Sequence, residues 1–311
     1  MIALFCRVQY QGGHKTRPYR NHMEPYFKKL TIIGVGLIGG SLAIVLRKKG
    51  MVGEIVGVGR SISNLELAVK LDVIDKFTTD PAAGVMDADL VVIATPVASI
   101  AGIVKKIAPY LKEGAIVTDV GSVKGAIVKE AEKLIPSGVH FVGGHPIAGT
   151  EESGVRAAFP TLFERHKCIL TPTAKTDKEA LEKIRKVWEA AGSDIILMDA
   201  DKHDSILAAV SHLPHVIAYS LVNTVDDVKD FEESILNYSA GGFKDFTRIA
   251  SSSPEMWRDI CLINKNALLD MITRFEKSLS KLKGYIKESD GHEIFKEFDK
   301  SKKARDSIVK K

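Results

Sequence analysis

From Leu30 onward the chain alternates short apolar runs with longer segments whose apolar residues return every three or four positions. The runs 30–34, 54–58, 90–94, 115–119, 140–143, 167–171 and 195–198 predict strands, and helices are predicted to begin near Leu37, Ser63, Ser99, Lys124 and Asp177. Strands that alternate with crossover helices predict a parallel sheet covered on both faces. Leu90-Val91-Val92-Ile93-Ala94 is apolar on both pleat faces, as a central strand should be. After Met198 the strand signals nearly stop. Residues 202–225, 231–240 and 254–283 read as helices, with a kink expected at Pro214, which lacks the backbone N–H a helix needs. Along 254–283, Trp257, Ile260, Leu268, Met271, Phe275, Leu279 and Leu282 form an amphipathic stripe. A stripe that long needs cover from its own chain or from a second copy. Residues 1–29 are polar and aperiodic and read as a loose extension.

Composition narrows the class. The 311 residues suit two domains, 30–198 and 199–311, each large enough to bury a core. Lys plus Arg (44) against Asp plus Glu (39) leaves +5, spread along the chain, so no nucleic-acid partner is indicated. Even the basic run 296–311 reads as a solvated helix face. Cys6, Cys168 and Cys261 are odd in number and far apart, which suits a reducing cytoplasm and no disulfide framework. The longest apolar stretch, 30–46, is interrupted by Gly34, Gly36, Gly39 and Gly40, so no membrane partner is expected.

Gly34-Val35-Gly36-Leu37-Ile38-Gly39 fits G-x-G-x-x-G between a predicted strand and a predicted helix. In that setting the glycines allow a tight turn, close approach of a pyrophosphate and close helix packing, which is the Rossmann dinucleotide fingerprint. The cofactor-binding residues expected are Gly34, Gly36, Leu37, Ile38 and Gly39, with Arg60, Ser61, Thr95, Pro96 and Ser122 at later strand ends. The acidic residue usual for NAD is absent after the second strand, where Val58-Gly59-Arg60-Ser61 stands. NAD is the expected cofactor, and Arg60 leaves NADP open.

His145, in a glycine-framed turn just past a strand end, titrates in a range that suits proton acceptance. Ser122 is a hydrogen-bond donor or a plain helix cap. His212 and His215 share a helix face, but no third ligand has metal-site spacing, so no metal is expected. Arg248, in an apolar neighbourhood, suits bidentate capture of a carboxylate, with Lys244 nearby in sequence.

Six segments carry a resemblance: GVGLIGGS (34–41), ATPV (94–97), DVGSVK (119–124), GGHPIAGTEESG (143–154), SHLPH (211–215) and GGFKDFTRIA (241–250). Together, in this order, they resemble the prephenate and arogenate dehydrogenases of tyrosine biosynthesis. The resemblance implies an α/β Rossmann-type domain followed by an all-α dimerisation domain like that of the 6-phosphogluconate dehydrogenase group. It implies oxidative decarboxylation of prephenate to 4-hydroxyphenylpyruvate with hydride transfer to NAD, or the corresponding reaction of arogenate. It further implies that His145 accepts the substrate hydroxyl's hydrogen bond and that Ser122 orients His145 and the nicotinamide. Arg248 would bind a substrate carboxylate, with His215, Lys244, Thr150 and Glu151 around it. A homodimer and feedback by L-tyrosine in the catalytic pocket are expected on the same ground. The chain is too short at either end for a mutase or regulatory module, so a single-activity form is expected.

Overall fold

The computed structural model describes residues 24–150, 152–229 and 233–309. Most of the expected extension therefore lies outside the described residues. The first half runs β1 (Phe27–Ile33), α1 (Leu37–Lys48), β2 (Val52–Val58), α2 (Ile62–Lys70), β3 (Lys76–Thr78), α3 (Pro81–Val85), β4 (Leu90–Ile93) and α4 (Ile100–Ile107). It continues through β5 (Ile116–Asp119), α5 (Gly125–Leu134), β6 (His140–Pro146), β7 (Lys167–Thr171), α6 (Lys178–Ala190) and β8 (Asp194–Leu197). All seven predicted strands are present. β3, with three residues, is too short to show a period and escapes sequence reading.

The eight strands form one sheet in the order β3-β2-β1-β4-β5-β6-β7-β8. Strand order reverses beside β1, which pairs with β2 on one edge and β4 on the other. That reversal opens a crevice at the carboxyl ends of the strands. Successive side chains of a strand point to opposite faces, so Leu30, Ile32, Leu90 and Val92 pack on one core with Leu42, Leu46 and Trp188. Ile33, Val91 and Ile93 pack on the other with Val104, Ile107 and Ile127.

The expected parallel sheet is broken at one seam. Residues 140–142 of β6 pair in parallel with β5, whereas 143–146 pair antiparallel with β7. Gly143 and Gly144 permit the change of partner, because an added Cβ would lie 2.5 Å from Thr171 Oγ1 at the first and 3.0 Å from the Asp119 carbonyl at the second. His145 consequently stands in the ladder opposite Ile169, not in a loop beyond the strand as its flanking glycine and proline suggested.

The helical half comprises α7 (Ala200–Leu207), a π-helical turn (Ala208–His212), α8 (Leu213–Asp226), α9 (Gly241–Thr247), α10 (Pro254–Ile263), α11 (Lys265–Lys287) and α12 (Gly291–Val309). The irregularity expected at Pro214 takes the form of that wide turn, which ends at His212 and leaves Pro214 in the first turn of α8. Two helix expectations need correction. Within 233–240 there is only a short 3-10 turn, Ile235–Tyr238, because Ser234 caps it and Ser239 and Ala240 are extended. The stretch 254–283 is two helices, broken at Asn264, whose backbone leaves helical geometry (φ −95°, ψ 30°). Its side-chain amide instead donates to the Asp204 carbonyl at 2.8 Å and meets His212 Nδ1 at 3.1 Å.

Ala200–Asp226 is long and apolar enough, by length and composition, to cross a membrane. It is nevertheless the helix that carries Ala200, His203, Asp204 and Leu207 into the protein interior. Trp257 and Ile260 of α10 join the core below the sheet, so the two halves share packing.

Candidate active site

The glycine turn sits at the reversal point of the sheet. Gly34 has φ +99°, and a Cβ there would meet the Ala94 carbonyl oxygen at 2.4 Å. At Gly39 a Cβ would meet the Gly34 carbonyl oxygen at 2.3 Å, so this glycine lets α1 pack on β1. Gly36 differs, since nothing lies within 4 Å of an added Cβ. The open space faces the start of α1, which no side chain caps and whose first turn holds no acidic residue. Uncapped N–H groups beside an empty, glycine-lined space fit a pyrophosphate. Leu37 is buried and Ile38 half-buried, so both offer backbone N–H groups rather than side chains. Asn64 braces the turn by donating to the Val35 carbonyl at 2.7 Å. At the next strand ends Thr95 Oγ1 accepts from Ser99 at 2.8 Å, and Pro96 begins the turn into α4. Arg60 and Ser61 are exposed at the end of β2, where Ser61 also caps α2 by accepting from the Asn64 N–H.

His145 lies at the carboxyl end of the same sheet, held from below. Lys124 and Asp119 are fully buried and paired to each other. Lys124 Nζ also donates to the Gly144 carbonyl at 2.8 Å, and Asp119 accepts from the Gly144 and Gly121 N–H groups. Burial lowers the pKa of Lys124, and Asp119 opposes that shift. This pair ties the ends of β5 and β6 together one residue before His145. His145 Nδ1 is 2.8 Å from His203 Nε2, and His203 Nδ1 is 2.8 Å from Asp204 Oδ1. Desolvation, then the neighbouring His203, Lys124 and His212, hold the pKa of His145 well below its ordinary value, so the ring is neutral at neutral pH. Ser122 stands half-buried at the end of β5. The side-chain partner that the structure gives His145 is His203, not Ser122.

The second pair of histidines continues the site. His215 stacks on Trp257 with ring centroids 3.7 Å apart, and its Nδ1 donates to the Ser211 carbonyl at 2.9 Å. Burial lowers the pKa of His215, and the positive charge of Arg248 adds to the shift. Arg248 follows α9 in a 3-10 turn and is exposed. His212 is buried edge-on to the same tryptophan, and Asn264 links it to Asp204. One continuous path thus joins His215, Trp257, His212, Asn264, Asp204, His203 and His145, with the charge of Arg248 acting on its His215 end. Lys244 and Thr150 are exposed, with Thr150 Oγ1 accepting from the Glu152 N–H, and Glu151 lies outside the described residues. Among the described residues no group of three or more His, Cys, Asp or Glu is placed to hold a metal ion.

A family model described as the prephenate dehydrogenase nucleotide-binding domain matches residues 42–197, and one described as the prephenate dehydrogenase dimerization domain matches residues 199–300. The chain belongs to the prephenate dehydrogenase family. A solved prephenate dehydrogenase from Aquifex aeolicus, in complex with hydroxyphenyl propionate and NAD+, is 42% identical with a TM-score of 0.86, covering 93% of this chain and 100% of that one. The prephenate dehydrogenase of Bacillus subtilis is 38% identical over 280 residues, 90% of this chain and 76% of the relative. The cyclohexadienyl dehydrogenase of Zymomonas mobilis is 40% identical over 90% of this chain and 95% of its own length. Membership makes this chain an oxidoreductase with a nucleotide-binding Rossmann domain and a helical second domain.

Within this prephenate dehydrogenase family fold, sequence reading passed over His203 and Asp204. Both sit in the polar triplet Lys202-His203-Asp204 at a helix start, which resembles a solvated first turn. The available signal is periodicity: Ala200, His203 and Leu207 fall on one helix face, and all three are buried.

Proposed function

We propose that this chain carries out NAD-dependent oxidative decarboxylation of prephenate to 4-hydroxyphenylpyruvate. The observation that carries the reading is His145: a neutral imidazole at the carboxyl end of the sheet that also bears the dinucleotide turn. Bound nicotinamide supplies the hydride acceptor. As hydride leaves the carbinol carbon, positive charge grows on the hydroxyl oxygen, and His145 spreads it by accepting the O–H hydrogen bond. The electron pair of the ring–carboxylate bond then fills the ring, carbon dioxide leaves, and the product keeps a phenol hydroxyl. Aromatisation drives the step, so the chain supplies no covalent nucleophile.

Ser122, at the neighbouring strand end, is assigned to the same hydroxyl and to the nicotinamide. Arg248 is assigned to a substrate carboxylate, with His215 beside it and Lys244, Thr150 and Glu151 at the rim. L-Tyrosine shares the para-hydroxyl and a carboxylate with the product, so it fits the same pocket as a competitive inhibitor. The test is steady-state formation of reduced nicotinamide with prephenate or arogenate and NAD or NADP, on wild type, His145→Asn and Arg248→Ala. Prephenate with NAD is expected to be the most efficient pair. His145→Asn should cut turnover about 10²–10⁴-fold with little change in KM. Arg248→Ala should raise the KM for prephenate about 10- to 150-fold, as loss of a charge-assisted hydrogen bond predicts, and weaken tyrosine inhibition in parallel. Near-normal turnover in His145→Asn would refute the reading.

A further inference from the structure

The buried array behind His145 has a polarity that can be followed from one end. Asp204 Oδ1 accepts from the Lys124 N–H at 2.7 Å, and Oδ2 accepts from the Gly125 N–H at 2.8 Å. These are N–H groups at the start of α5, which no side chain of its own caps. Both carboxylate oxygens are therefore already acceptors, so His203 Nδ1 must be the donor in the 2.8 Å contact with Oδ1. A neutral His203 then presents a lone pair at Nε2. His145 Nδ1, 2.8 Å away, must donate to it. That leaves Nε2 of His145 with the only lone pair on its ring.

We propose that His203 and Asp204 are positioning residues that set the tautomer of His145, fixing its Nε2 as the hydrogen-bond acceptor offered to the substrate hydroxyl. This rests on the reading of His145 given above. The device explains why two adjacent, buried polar residues of the helical half reach across to the sheet domain. His203 is fully buried, and Asp204 nearly so. Asp204 is anchored to the backbone of α5 and, through its own carbonyl, to Asn264 at the α10–α11 break. A ring free to adopt either tautomer would spend part of its time with Nε2 protonated, which donates to a hydroxyl oxygen instead of accepting from it. A charged His203 would have the same effect, because its Nε2–H would donate to His145 Nδ1.

The experiment pairs a spectroscopic reading with kinetics. In full-length protein labelled with 15N-histidine, His145 (assigned by its loss in His145→Asn) is expected to carry its proton on Nδ1, with Nε2 bare. His203→Leu removes the acceptor and should lower kcat for prephenate about 10- to 10³-fold while leaving KM near wild type. His203→Gln can donate to Asp204 through its amide N–H and accept from His145 through its amide oxygen, so it should recover most of the loss. A wild-type His145 protonated on Nε2 overturns the proposal even if His203→Leu fails to fold. Wild-type kcat in a folded His203→Leu overturns it as well. If His145→Asn itself keeps normal turnover, the assignment of His145 fails and the relay falls with it. Loss in His145→Asn with none in His203→Leu rejects the relay alone.

Discussion

Burial of His212 lowers its pKa to about 4, with His203 and His215 adding to the shift and Asp204 opposing it. An unfolded histidine titrates near 6.5, so between the two values the unfolded chain binds a proton that the folded one does not. Stability is therefore complete above about pH 6.5 and is lost as pH falls toward 4, by an upper bound of about 3 kcal/mol from this group. Thermal unfolding followed by circular dichroism from about pH 7 to about pH 5 should show the decline, and His212→Asn should flatten it even if its midpoint at pH 7 is lower. At this scale the motifs pointed to His145, Ser122, His215 and Arg248, because each stands in a distinctive local string. They did not reveal the Asp119–Lys124 pair beneath His145 or the His203–Asp204 pair behind it. Those roles come from contacts between residues as far apart as 145 and 203, which no local string records.

The strand–turn–helix element at 27–48 shows how a local sequence can be read in full. Its three glycines have separable tasks, and substitution should separate them. Gly36→Ala adds a methyl to space that the protein does not occupy, so the thermal midpoint should hardly move while the Kd for NAD, measured by calorimetry, rises about tenfold or more. Gly34→Ala forces a side chain onto φ +99° and into the Ala94 carbonyl, so it should destabilise the fold itself. Equal loss of stability in both variants would contradict this division of tasks. Elements that failed to match expectation did so where tertiary contacts override periodicity. The stripe from Trp257 to Leu282 runs unbroken in sequence, but Asn264 leaves the helix because its amide satisfies the Asp204 carbonyl and His212. The strand predicted at 140–143 instead runs on to Pro146 and changes partner midway, because two glycines let β7 approach from the opposite direction.

Across the whole molecule, apolar cover is uneven. The sheet domain buries both of its cores, whereas α11 and α12 expose Leu269, Leu279, Ile286, Phe295 and Phe298. α12 reaches α11 through the Lys281–Glu297 ion pair at 2.5 Å but buries none of its own residues. Leu268, which the stripe also included, is already covered within its own chain at 4% exposure, so it does not report on a second copy. Leu279, at 55%, does. Light scattering at micromolar protein should return twice 33.9 kDa. Leu279→Glu should shift the population toward a species of 33.9 kDa, since a buried unpaired carboxylate opposes association. An unchanged mass in that variant would move the contact to another face.

By itself the sequence determined the alternation of strands and helices, the dinucleotide turn and the family. These depend on residues close together in the chain: hydrophobic period, glycine spacing and short motifs. Only the tertiary structure decided that His145 stands in a strand, that its ring faces His203, and that Asp204 ties the helical half to the start of α5. Those facts depend on where distant segments meet, which burial and hydrogen-bond satisfaction settle together once both domains have folded.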